Sequence, residues 1–278
     1  WDIIGKRSQE GLLGCGQALV APLLKACLDR KMMIELESRA LHLIMENSAV
    51  IGIMTEHHGA ARYLKANKGV ILASGGYEWN LDLINAFLPG PPITHPVTPP
   101  YAHGDGLLMA MEAGAQLDNM GEAWWLPSLH SPGEEQEGHP LNRLSMQERS
   151  APHSIIVNRY GKRFVNECTN YNDMPKAFNT FDPTTYTYPN LPCWIIFDTQ
   201  FRKNYGCMTT LPRDPDPDWL ARDDTLAGLS KKVGIDLAGL EETVKRFNAF
   251  AYNGVDEDFG RGGNIYDRYY GDREYDGP

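Results

Sequence analysis

The run KGVILA at residues 68–73 constrains this chain more than any other feature. It is apolar, rich in aliphatic side chains and without polar alternation, the pattern of a strand buried on both faces. Strands of that kind belong to parallel sheets covered by helices, because a sheet with one wet face would alternate. The run passes straight into Ser74-Gly75-Gly76. Glycines at the end of such a strand let the main chain take positive φ and approach a ligand closely. Alone, such an end is a turn; what it belongs to is read from the segments around it.

The flanking segments extend this reading. Residues 11–30 place Leu19, Leu23, Leu24, Cys27 and Leu28 at spacings of three and four. That predicts an amphipathic helix, interrupted or bent near Pro22. Strands are predicted at 33–43, 49–56 and 61–66, the last two a meander turning at His57-His58-Gly59. A short helix follows at 81–88, then a loop marked by Pro89, Pro91, Pro92, Pro96, Pro99 and Pro100, then a helix at 106–115. Beyond about residue 120 the character changes. Trp124 and Trp125 precede a polar Gly/Pro/Glu loop at 130–140. Strands at 154–158 and 163–166 are joined by a turn at Tyr160-Gly161, and another strand is expected at 194–197. Leu237, Leu240, Val244, Phe247 and Ala251 form the stripe of a helix at 236–253. The class is α/β with α+β: a nucleotide-binding part over 1–120 and a mixed second part after it.

Composition excludes several functions. The net charge of −10 and pI near 5.3 leave no basic stripe to displace counterions from phosphates, so nucleic acid is not expected as a partner. Apolar runs are broken within a few residues, so no transmembrane segment is expected. Cys15, Cys27, Cys168, Cys193 and Cys207 are scattered and contain no CxxC pair; reduced thiols in a cytoplasmic protein are the expectation. The histidines show no ligand spacing, His57-His58 reads as a solvated turn, and no metal is expected. Gly14-Cys15-Gly16, with Glu35 or Glu37 downstream, imitates a dinucleotide fingerprint. It fails because Leu19 stands where a third glycine belongs and no apolar strand precedes it. The chain opens at Trp1 and stops at Gly277-Pro278, which reads as an internal segment of a protein about twice this length.

Four blocks, in order, carry a family resemblance. Residues 69–80 (GVILASGGYEWN) resemble the strand and Ala-x-Gly-Gly turn of the FAD-dependent superfamily of fumarate reductase, succinate dehydrogenase and 3-ketosteroid dehydrogenase. Residues 103–115 (HGDGLLMAMEAGA) are similar to its Thr-Gly-Asp-Gly loop, with His103 in place of the threonine. Residues 154–173 (SIIVNRYGKRFVNECTNYND), with Glu148-Arg149 just upstream, resemble the hairpin that leads to the active site. Residues 255–272 (VDEDFGRGGNIYDRYYGD) resemble the segment returning to the FAD domain. The resemblance implies a partial Rossmann-like FAD-binding domain at 1–120, a substrate or capping domain at 121–260 and a return segment at 261–278. FAD is the implied cofactor, with Ala40, Ala73, Ser74, Gly75, Gly76, Gly104, Asp105 and Gly106 as its contacts.

The resemblance also implies the chemistry. Fumarate reductases carry an arginine proton donor four residues after the hairpin glutamate, and a histidine in a Gln-x-His-Pro stretch. Here the glutamate is Glu167, the fourth residue on is Tyr171, and Leu126 stands where the histidine would. The pocket has lost charge and gained apolar surface, which suits a hydrophobic ketone better than a dicarboxylate. A tyrosine there is typical of the 3-ketosteroid Δ1-dehydrogenases. Tyr171 is thus implied to remove a proton α to a ring ketone while a hydride from the β carbon passes to the flavin. Trp124 and Trp125 are the candidate substrate contacts. A free tyrosine titrates near about 10, so such a base needs help; the family's helping groups come from segments outside this sequence. The electron acceptor is unknown. Two alternatives stay open: an enone or fumarate-type reductase of the same superfamily, and a flavin-free binding module derived from the fold.

Overall fold

A computed structural model describes residues 6–7, 9–12, 14–93 and 96–275. The end residues Trp1, Gly277 and Pro278 lie outside that description. Two compact units are formed, one up to Ile71 and one from Leu72.

In the first unit, helix α1 (Cys15–Asp29) carries the expected leucine stripe. It runs through Pro22 without the interruption expected there, and Leu19, Leu23, Leu24 and Leu28 are all exposed. Strands β1 (Ser38–Glu46), β2 (Ala49–His57) and β3 (Ala60–Lys65) follow as an antiparallel meander in sequential order. The last two match the expected strands almost to the residue, and the turn falls at His58-Gly59. The first strand begins later than the sequence suggests, because Glu35 is drawn into a two-pronged ion pair with Arg62 (3.0 and 3.2 Å) instead of a ladder.

The run at 68–73 is a correction. It is not a strand, Ile71 is 92% exposed, and no described segment pairs with it. An extended apolar segment becomes a buried strand only when neighbours satisfy its amides on both sides. All sheets among the described residues are small and antiparallel, so the chain is mixed α and β, as expected, without the parallel sheet that run demands.

In the second unit, helix α2 (Leu81–Phe87) is capped by Asn80, whose side chain accepts from the Leu83 amide. Helix α3 (Asp105–Glu112) follows the proline-marked segment. The polar stretch at 130–140, expected as a loop, is instead a hairpin of β4 (Ser128–Gln136) and β5 (His139–Leu144). Pro132 does not prevent it, because each strand of a two-stranded sheet has a free edge that tolerates a missing donor. A short helix α4 (Gln147–Ser150) leads into β6 (Ser154–Asn158), which is buried along its length.

β6 pairs with β7 (Cys193–Phe197), not with residues 163–166, which form no strand. The turn after β6 is closed by Asn158, whose side-chain oxygen accepts from Tyr160 and Lys162. Arg163 then points into a buried charge cluster, and the chain leaves the sheet. Helix α5 (Thr199–Asn204), helix α6 (Leu226–Val233) and helix α7 (Leu237–Asn253) complete this side. Asp236 caps α7 through the Gly239 amide at 2.7 Å. The expected α7 stripe packs Leu240, Val244 and Phe247 on Ile155 and Val157 of β6. Helix α8 (Ile265–Tyr270) is capped by Asn264 and closes the unit.

Candidate functional site

The two glycine turns expected to meet a cofactor are laced to one another. The Gly104 amide donates to the Gly76 carbonyl (3.1 Å), and the Gly106 amide donates to the Ser74 hydroxyl (3.1 Å). Trp79 and Asn80 extend the seam, donating to the carbonyls of Ala102 and His103 at 3.0 Å each. The close approach explains the glycines. A Cβ on Gly104 would stand 2.6 Å from the Leu83 side chain at a φ of +83°, and one on Gly106 would stand 2.3 Å from Ser74 Oγ. On the outer side, Ala73, Ser74, Gly75 and Gly76 are all exposed, and a Cβ on Gly75 would meet nothing within 4 Å. Asp105, half-buried, opens α3 directly behind this seam. Ala40 belongs to the first unit, where it pairs with Thr55 across β1 and β2.

Tyr171 is half-buried at the end of the segment leaving β6. That segment is fixed by charge. Arg163 donates to both Glu167 oxygens (2.8 and 2.7 Å) and to both Asp256 oxygens (3.0 and 2.9 Å), with all three side chains nearly inaccessible to water. Glu167 also accepts from the Ile156 amide (3.1 Å) and from Arg261 (3.4 Å). Arg149, fully buried, donates to the carbonyls of Ser145 (2.9 Å), Thr169 (3.0 Å) and Glu167. These arginines are committed to carboxylates and carbonyls, so they hold the backbone before Tyr171 in place. Burial pulls Arg149 below the ordinary arginine range, against the pull of Cys168 and Tyr266. Burial also works against Arg163, but its two carboxylates outweigh that and raise it.

Asn172 links Tyr171 to the tryptophan stretch: its side-chain oxygen accepts from the Trp125 amide at 2.9 Å. Trp125 and Leu126 are half-buried beside this link, whereas Trp124 is 78% exposed. Two expected contacts, Tyr171 and Trp125, are thus brought into one neighbourhood. An open cleft of about 590 Å³, lined by Arg159, Tyr160, Lys231 and Asp236 among others, contains none of the expected site residues.

The family model described as FAD binding domain matches residues 3–277. The chain belongs to this FAD binding domain family. FAD is therefore its cofactor, as the resemblance implied. Among relatives of this FAD-binding chain is a 4-oxocyclohexanecarboxylate 2-dehydrogenase of Sinomonas cyclohexanicum, 37% identical over 99% of this chain and 48% of that protein. A 3-oxosteroid 1-dehydrogenase of Mycobacterium tuberculosis is also 37% identical, over 96% of this chain and 49% of its own length. The crystal structure of 3-ketosteroid delta1-dehydrogenase from Sterolibacterium denitrificans, in complex with 1,4-androstadiene-3,17-dione, superposes with a TM-score of 0.82 and 37% identity, covering 90% of this chain and 45% of that one. The chain spans about half the length of the curated relatives it matches.

Several residues of this neighbourhood escaped the sequence reading. Asn172 sits beside Tyr171, yet nothing in its spacing signalled a bond to Trp125. The Arg163–Glu167 spacing of four could have been noticed, but Asp256 completes the cluster from 93 positions away. Tyr266 is another. Its hydroxyl is buried without a hydrogen-bond partner among the described residues. Its phenol is pushed above the ordinary range by burial first and then by Tyr270, with Arg149 opposing and Tyr171 adding to the rise.

Proposed function

We propose that this chain supplies part of the FAD cradle and the proton-abstracting residue of a flavin-dependent dehydrogenase that desaturates a cyclic ketone between its α and β carbons. The observation that carries the reading is Tyr171, held at the end of a charge-locked segment and tied through Asn172 to Trp125. Residues 1–120 would serve FAD binding, 121–260 would cap the substrate, and 261–278 would return the chain towards the FAD domain. The laced turns at Ser74–Gly76 and Gly104–Gly106 suit the cofactor. The backbone at Ala73–Gly76 is exposed, and a ligand can lie against Gly75 without meeting a Cβ. Ala73 and Asp105 complete the proposed contacts in the second unit.

FAD, when bound, supplies the acceptor for a hydride from the substrate's β carbon. The protein's own part is proton chemistry and orientation. Tyr171, as phenolate, takes the proton α to the ketone; the released electron pair forms the new carbon–carbon double bond as the hydride leaves. Trp125 offers the ring system an apolar wall, and Trp124 a second, more exposed surface. With the nearby arginines already paired, nothing in this set is arranged for a dicarboxylate, which favours dehydrogenation of a ring ketone over fumarate-type reduction. The five cysteines are all unpaired, in keeping with a reducing, cytoplasmic setting. No described helix is long and apolar enough to cross a membrane.

The test is turnover by the full-length, FAD-loaded protein on 4-androstene-3,17-dione and, separately, on 4-oxocyclohexanecarboxylate, with an artificial electron acceptor. Tyr171→Phe should lower kcat by about 10²–10⁴-fold, as loss of a general base does. Turnover within about threefold of wild type would refute the assignment. A preparation with no flavin absorbance and no thermal stabilisation by FAD would replace the whole reading with that of a binding module.

A further inference from the structure

The polar hairpin of β4 and β5 takes no part in the chemistry proposed above, yet its far end reaches the glycine seam. A two-stranded hairpin is marginal by itself and takes its order from what it packs against. This one is anchored at its base. There the Ser145 amide donates to the Pro127 carbonyl (2.9 Å), and the Ser145 carbonyl accepts from buried Arg149 (2.9 Å). Further along β5, buried Asn142 accepts from His130 Nδ1 (3.2 Å) and donates to the Pro96 carbonyl (3.0 Å). At the far end the His139 ring meets the Trp79 indole edge-on, 5.0 Å between centroids at 72°, and Glu137 accepts from the Tyr101 hydroxyl.

Trp79 and Tyr101 flank the seam on either side. Trp79 lies three residues after Gly76; besides its amide bond to the Ala102 carbonyl, it donates its indole N–H to the carbonyl (3.1 Å) and hydroxyl (3.2 Å) of Thr98. Tyr101 lies three residues before Gly104. One end of one hairpin therefore touches both the chain leaving the first turn and the chain entering the second. The fit is close. Trp79, Pro96, Thr98, Pro100, His139 and Asn142 leave a gap of only about 10 Å³, at the lower limit for a single water. Gly133, in the bulge of β4 with nothing within 4 Å of a Cβ, lies off these contacts.

A seam already ordered gives up less freedom when its ligand arrives, and so binds it more tightly. Resting on the proposed contact of both turns with FAD, we propose that the β4–β5 hairpin is a brace for the cofactor cradle, with His139 and Glu137 as its positioning residues. They hold the two turns in their binding geometry through Trp79 and Tyr101, and they do not touch the cofactor themselves. One contact is a ring packing and the other a hydrogen bond, so each can be removed alone.

The experiment strips the full-length protein of flavin and titrates it with FAD, following the change in flavin fluorescence. His139 is exposed, so His139→Ala should fold; it should raise the Kd for FAD by about 3–10-fold, the worth of one aromatic contact. His139→Phe keeps an edge-on ring and should return Kd to within about twofold of wild type. Tyr101→Phe removes the bond to Glu137 and should raise Kd by a similar factor, about 3–10-fold. A contact that serves only the fold lowers the melting temperatures of the flavin-free and FAD-loaded protein alike and leaves Kd in place. An unchanged Kd in both His139→Ala and Tyr101→Phe therefore overturns the proposal. Gly106→Ala in the same titration separates the two failures. If it too leaves Kd unchanged, the proposed FAD contact of the turns fails; if it weakens FAD while the hairpin variants do not, only the brace fails.

Discussion

Replacing Glu167 with glutamine tests whether the buried charge cluster is what fixes the segment carrying Tyr171. Glu167 is fully buried and accepts four hydrogen bonds: two from Arg163, one from the Ile156 amide and one from Arg261. Glutamine keeps one oxygen, enough for Ile156 and Arg163 Nε. Its NH₂ must then face Arg163 Nη2 and Arg261 Nη1, donor against donor. Breaking a buried ion pair from one side costs about 3–5 kcal/mol. The cost here should fall at the lower end, about 3 kcal/mol, because Asp256 still holds Arg163 through two bonds and Arg261 still reaches the carbonyls of Ser150, Ala151 and Ser154. At about 2–4 °C per kcal/mol for a unit of this size, the melting temperature should drop by roughly 6–12 °C. Thermal unfolding followed by circular dichroism on the full-length protein measures it. The double variant Glu167→Gln/Arg163→Gln should be less stable than the single one, because it leaves the buried Asp256 carboxylate without its counter-ion. A single-variant shift below about 2 °C would show that the cluster does not hold this segment, and the structural account of Tyr171's placement would fall with it.

Other expectations follow from the same geometry. Burial works against the Asp256 carboxylate, but Arg163 outweighs it and the group lies below the usual carboxylate range. A depressed folded pKa means stability that is present above about 4, the unfolded value, and lost as pH falls through the folded one; Asp256→Asn should therefore flatten the acid limb of a stability–pH curve, and an unchanged limb would contradict this. Gly106→Ala should force Ser74 away from α3 and reduce the flavin-to-protein absorbance ratio of the purified protein, whereas Gly133→Ala, far from any expected contact though strained at its turn, should leave that ratio intact. Asn172→Ala releases the Trp125 amide and should raise KM more than it lowers kcat; equal loss in both would show that Trp125 does not line the substrate site. Burial pushes the Cys193 thiol up to about 12 and that of Cys207 up to about 11, so both should resist a thiol reagent at pH 8 until unfolding, while exposed Cys15 reacts at once.

Much of this chain could be read from local pattern. Periodicity of three and four located α1, α3 and α7, because an amphipathic stripe is a property of consecutive residues. Alternation located the β2–β3 meander for the same reason. The glycine turns at 74–76 and 104–106 were legible as turns too, since few residues other than glycine tolerate such backbone approach; Tyr171 was singled out among thirteen tyrosines by the family resemblance, and its role is a proposal. Pairing was not legible. The run at 68–73 has every local mark of a buried strand, but a strand is made by its neighbours, and none of the described residues supplies them. Residues 163–166 were expected to return along β6; instead Arg163 turned inward to Glu167 and Asp256, and β7 took the place beside β6.

The sequence by itself singled out candidates for chemistry: two glycine turns proposed to lie against FAD, and a tyrosine proposed as the base. Those are questions of residue type and short spacing, settled by side-chain chemistry and backbone sterics. Only the tertiary structure decided what surrounds them. The lacing of Ser74 to Gly106, the link from Asn172 to Trp125, and the ion pair of Arg163 with Asp256 join residues 32, 47 and 93 positions apart. Contacts at that separation depend on how the whole unit packs, because no local pattern encodes which buried group will end beside which.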